Sequence, residues 1–161
     1  MTTGVRALFH PVHVVSSMDA ALAFYRDTLG MRVTFDAEHD PASIGTLLGY
    51  QRPRVHAMVV ACPDGGEIEL ARFGSFDAAG PNSRWHEPGI RFLSLHVSGI
   101  EALVSRVERS GYAFTSPIVA QPLPDGDVAK VAVCRGPDGV GITFTELPGG
   151  RRHLDSDADP S

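Results

Sequence analysis

The sequence predicts an α+β protein built from two βαβββ modules, and three observations lead there. A strand, a Val-Ser turn, an amphipathic helix and a closing glycine occur twice, as HPVHVVSSMDAALAFYRDTLG (10–30) and FLSLHVSGIEALVSRVERSG (92–111). PDGGEIEL at 63–70 returns as PDGVGITF at 137–144. After each helix the apolar pattern changes to short β-rich runs. Aligning the copies on Val15 with Val97 and on Gly65 with Gly139 pairs His10 with Phe92 and Glu69 with Thr143. One copy therefore carries ligand-grade side chains where the other does not.

In the first copy Met18, Leu22, Tyr25 and Leu29 line one face of a helix, with Ser17 as N-cap and Gly30 as its stop. In the second, Ile100, Leu103 or Val104, and Val107 repeat the stripe, Ser98 and Glu101 form a capping box, and Gly111 ends it. Strands are expected near 7–15, 31–35, 55–62 and 67–73, then 91–97, 112–118, 129–135 and 141–147. The Pro-Asp-Gly turns join the last two strands of each half, Pro presetting the turn and Gly accepting positive φ. Such a half has an open apolar sheet and cannot stand alone. The expected organisation is one domain over 1–147, with modules at about 7–73 and 90–147, a Gly/Pro-rich linker at 74–89 and a flexible tail at 148–161. SIGTLLGY (43–50), within an insertion at 36–54, reads as a short helix placed to cover a cavity mouth.

Bulk properties narrow the function. The chain has 161 residues, 43% hydrophobic and 20% charged, which fits one folded globular body. Fourteen Lys plus Arg against nineteen Asp plus Glu give a formal charge of −5 with no basic stripe, so nucleic acid is not an expected partner. No apolar run suits a membrane span and no charged leader precedes an apolar one, so a cytoplasmic location is expected. Cys62 and Cys134 are read as buried thiols rather than a disulfide. Nucleotide loops, HExxH and GxSxG signatures are absent from the sequence.

The paired modules, with HPVHVVSSMDAALAFYRDTLG, the IEL ending at Leu70, LHVSGIEALVSRVERSG and GPDGVGITFTEL, resemble the vicinal oxygen chelate superfamily of glyoxalases, bleomycin-resistance proteins and dioxygenases over residues 7–147. The resemblance implies a glyoxalase/bleomycin-resistance fold, in which both modules form one cupped, partly open mixed sheet. It also implies a metal held by one inward residue from each of four strands. Those positions here are His10, Glu69, Phe92 and Thr143. Phe has no donor atom, and a neutral Thr hydroxyl is a poor ligand. The expected cofactor is thus none, or a divalent metal held weakly by His10, Glu69 and waters. His13 replaces His10 only if Pro11 or a bulge shifts the strand register.

Glu69 on an apolar strand is costly unless paired, protonated or metal-bound, which suggests use as a base toward a carbon acid. His10 is expected to orient or polarise the substrate, or else simply to pair with Glu69. Phe92, Thr143, His96, His56 and Trp85 are expected to contact it, Phe92 and Trp85 by stacking. Two readings follow. One is an enzyme of lyase, isomerase or epimerase type using acid-base residues; the other is a metal-free protein that binds or sequesters a small organic molecule. A homodimer is expected in either, because such sheets leave apolar edges to cover.

Overall fold

The structure is a computed structural model and describes residues 5, 8–74, 89–90, 92–123 and 125–150. Chain contacts divide it into two compact units, Met1–Pro81 and Asn82–Ser161. The predicted tail beyond residue 150 and nearly all of the predicted linker lie outside the described residues.

The first unit contains β1 (Val12–Val14), α1 (Met18–Leu22), β2 (Arg32–Glu38), α2 (Pro41–Leu48), β3 (Val55–Ala61) and β4 (Glu67–Phe73). Its sheet has the order β1-β4-β3-β2, with β1 parallel to β4 and the other pairs antiparallel. The parallel pair requires a crossover, which the helix supplies. Ser17 caps α1 through Ala20 N–H, as the sequence predicts. The helix then widens into a π-helical segment, Ala23–Thr28. That widening buries Phe24, Tyr25 and Thr28 together and leaves Leu29 only half-buried, so the simple four-three-four stripe is displaced. β1 is shorter than predicted because Pro11 has no N–H to continue the ladder. Its carbonyl still accepts from Glu69 N–H at 3.0 Å.

α2 occupies Pro41–Leu48, where the sequence predicts a short helix in this insertion. Asp40 accepts from Ser43 N–H as N-cap, Pro41 sits in the first turn, and Gly49 closes it at φ 75°.

The second unit repeats the plan with β5 (Phe92–His96), α3 (Ile100–Arg109), β6 (Val119–Pro122), β7 (Val128–Arg135) and β8 (Gly141–Glu146). Its sheet order is β5-β8-β7-β6, again with the first pair parallel. Ile100, Leu103 and Val107 of α3 are buried in this unit, as are Ile142 and Phe144 of β8. The fold is α+β, with two open four-stranded mixed sheets.

Two local expectations change. The strand predicted at 112–118 reduces to a single bridge between Phe114 and Cys134, and pairing resumes at Val119. Ser116-Pro117 interrupts the ladder, where Pro has no donor and Ser116 Oγ bonds the Pro117 carbonyl. The capping box is also absent. Gly99 is the N-cap at φ 67°, and its N–H donates to Glu146 from β8. Cys134 is fully buried as expected, whereas Cys62 is only partly so.

Candidate functional site

Strand register places Glu69 in the middle of an apolar row. It pairs with Val12 on β1 and Val59 on β3, and Val59 pairs with Phe35 on β2. Direct cross-strand partners share a face, so Val12, Glu69, Val59 and Phe35 form one transverse line with a single carboxylate in it.

His10 meets that carboxylate from the chain just ahead of β1. Its Nε2 lies 3.0 Å from Glu69 Oε2, with the two side chains 11% and 19% exposed. An ionised carboxylate only accepts, so Nε2 carries the hydrogen and donates. The Phe9 ring stacks on the imidazole, centroids 4.3 Å apart and planes tilted by 33°. In the neutral ring the other nitrogen, Nδ1, is a buried acceptor without a hydrogen-bond partner among the described residues. The ring is thereby held on Glu69 through one nitrogen and by stacking.

A third group, His39, was not singled out by the sequence. Its Nε2 lies 3.8 Å from Glu69 Oε1, and its side chain is 36% exposed. His39 N–H donates to the Val55 carbonyl at 2.9 Å, and the next residue is the N-cap of α2. The residue is therefore pinned between the end of β2 and the start of α2. The only trace in the sequence is a histidine immediately before the Asp-Pro start signal of a helix.

The remaining candidates fall in different places. His13 pairs in register with Leu70, on the face opposite Glu69, and its Nδ1 contacts the Tyr25 hydroxyl at 3.0 Å in the buried layer under the helix. No register shift brings it to the carboxylate, so it does not replace His10. His56 is three residues from Val59 and thus points to the other side of β3 from Glu69. There it bonds Asp36 at 2.7 Å, correcting its assignment to the same cavity wall. Phe92, Ser94 and His96 lie along one face of β5, opposite Gly141, Thr143 and Thr145 of β8. Phe92, Thr143 and His96 thus share a face within the second unit. Trp85 lies outside the described residues.

The alignment of the two copies carries through to the register. Val12 and Val59 flank Glu69 as Ser94 and Val133 flank Thr143. The second-unit counterparts of the His10–Glu69 pair are therefore Phe92 and Thr143. A four-ligand metal centre does not fit this donor set. Two of its four positions hold Phe and Thr, and among the described residues no group of three or more His, Cys, Asp or Glu side chains is arranged to hold an ion. A weakly held ion at His10 and Glu69 would have two protein donors, already hydrogen-bonded to each other.

Solved structures with the same fold include a glyoxalase family protein from Bacillus cereus, 22% identical, with a TM-score of 0.80 over 90% of this chain and 96% of that one. A glyoxalase family protein from Enterococcus faecalis is 21% identical, with a TM-score of 0.63 over 88% of this chain and 98% of the other. A V278E mutant of glyoxalase I from Zea mays is 14% identical, with a TM-score of 0.61, covering 84% of this chain and 43% of that chain. No curated protein sequence is similar enough to count as a match. The family model of the Glyoxalase/Bleomycin resistance protein/Dioxygenase superfamily matches residues 7–144, and with the repeated βαβββ register it establishes that the chain belongs to that superfamily.

Proposed function

We propose that the protein is a small-molecule enzyme of lyase, isomerase or epimerase type, in which Glu69 moves a proton to and from a carbon acid. The observation that carries this reading is the state of the Glu69 carboxylate. One oxygen is fixed by His10, while Oε1 accepts no hydrogen bond among the described residues and the side chain keeps 19% exposure on an apolar row. A carboxylate held through one oxygen, with the other left open on an apolar row, is placed to accept a proton from a bound molecule. His10 positions the base and contributes no metal-centred step. An organic substrate suits the apolar surroundings of Val12, Val59 and Phe35.

A second reading, sequestration of a small organic molecule, draws support from the apolar Phe92, 36% exposed on the face it shares with Thr143 and His96. Under either reading we take the protein as a cytoplasmic homodimer. β1 is the edge strand of its sheet among the described residues, which supports a second copy. No described helix is long and apolar enough to cross a membrane.

The test is solvent-deuterium exchange in D2O, followed by proton NMR, with hydroxyacetone, 2-hydroxyacetophenone and ethyl 2-methylacetoacetate as probes. Wild type is expected to accelerate exchange of an activated C–H in at least one, and Glu69→Gln to lose about 10²–10⁴-fold of that rate. Equal rates in the two proteins contradict proton transfer by Glu69.

A further inference from the structure

Proton abstraction beside a carbonyl leaves negative charge on its oxygen, and something must meet that charge. In this chain the donor set does not fit the metal that the resemblance implies for that task. His10 is committed to Glu69 Oε2 and is 11% exposed. Among the described residues His39 is the other polar group at the carboxylate, 3.8 Å from Oε1 and open to solvent.

That separation is too long for a hydrogen bond between the two groups, yet short enough for both to reach one small substrate. A reacting carbon sits about 3.0–3.5 Å from its base. The neighbouring carbonyl oxygen lies about 2.4 Å from that carbon across the C–C and C=O bonds. A donor nitrogen meets such an oxygen at about 2.7–3.1 Å. These three edges can close on a base-to-donor distance of 3.8 Å, so the two groups can act on one substrate at once.

We propose that His39 is the electrophile of the site, its Nε2–H binding the substrate carbonyl oxygen while Glu69 Oε1 takes the proton from the adjacent carbon. This rests on the proton-transfer reading above and names the substrate class: a carbonyl compound with an acidic α C–H. In the forward step the C–H bond breaks, its proton goes to Oε1, and its electron pair moves into the C=C bond of an enolate. The displaced carbonyl pair resides on the oxygen held by His39. Return of the proton from the Glu69 carboxyl group to the same face of the enolate, at either carbon of an enediolate, completes exchange or isomerisation, with no oxidant or reductant involved. The backbone of His39 is held between β2 and the α2 cap, which fixes the point from which its imidazole reaches the site.

The same exchange assay decides it, run on wild type, Glu69→Gln, His39→Ala and His39→Gln, with thermal melts confirming that each variant is folded. His39→Ala is expected to lower kcat by about 10²–10³-fold with KM little changed, since the interaction strengthens in the transition state. His39→Gln keeps an N–H donor and should retain activity to within about tenfold of wild type. Wild-type exchange in His39→Ala together with loss in Glu69→Gln overturns the role of His39 and leaves the base intact. So does equal loss in His39→Ala and His39→Gln. Undiminished exchange in Glu69→Gln, or none in wild type with any probe, overturns both.

Discussion

Replacing the His10–Glu69 pair by apolar side chains of similar size, His10→Phe with Glu69→Leu, is expected to leave the protein as stable or more so. The second unit already carries Phe92 at the counterpart of His10, so the phenyl ring has a precedent in this fold. Both groups are largely removed from water, at 11% and 19% exposure, and such removal costs the Glu69 carboxylate several kcal/mol. One contact at 3.0 Å and a more distant one at 3.8 Å oppose that cost, and His10 Nδ1 adds a buried acceptor with no partner among the described residues. Exchanges of buried pairs for apolar residues range from neutral to about 4 kcal/mol stabilising. Residual exposure puts this pair in the lower half, about 0–2 kcal/mol, or a rise in Tm of up to about 8 °C for a chain of this size. His10→Phe alone removes the close partner of Glu69 and should cost about 1–3 kcal/mol. Urea denaturation followed by far-UV circular dichroism measures all three variants. A loss of more than about 1 kcal/mol in the double variant would refute the reasoning, because the pair would then be a structural device.

Other expectations follow from the same geometry. Tyr25→Phe removes a buried hydroxyl that contacts His13 Nδ1 at 3.0 Å, and chemical denaturation should show a loss of about 1–2 kcal/mol. In Gly45→Ala the added methyl would lie 2.6 Å from the Tyr50 carbonyl oxygen and 3.0 Å from Arg52 N. Backbone must move, so a loss of about 1–3 kcal/mol is expected by thermal melt. Burial pushes the Cys134 thiol up to about 11, leaving about 10⁻³ as thiolate at pH 8. Iodoacetamide followed by peptide mass mapping should therefore label the half-buried Cys62 well before Cys134.

Much of the architecture was legible because it is written twice. The alignment of Gly65 with Gly139 fixes which strand residues correspond, and the matching neighbours of Glu69 and Thr143 confirm it. Where the two copies lack a common periodic signal, legibility fails. The strand after α3 was placed too early because β-rich composition at 112–118 hides the Ser116-Pro117 break. His56 was expected to contact the substrate, but it lies on the face of β3 opposite Glu69. The pairing of Ala61 with Glu67 across the turn decides which residues of β3 face Glu69, and turn composition does not state that register. His39 was invisible for a different reason: it lies between elements, where no period applies, and only the third dimension brings it to Glu69. The carboxylate and its first imidazole were read from residue type on an apolar strand, where a charged group is conspicuous.

The central claim is that this site works through a carboxylate and imidazoles rather than a resident metal. Elemental analysis of purified protein, followed by calorimetric titration of Ni, Co, Mn, Zn and Fe(II) into wild type and Glu69→Ala, tests it most directly. No stoichiometric metal and no saturable heat are expected in either protein. Tight one-to-one binding in wild type that disappears in Glu69→Ala would contradict it and return the chain to metal-dependent chemistry.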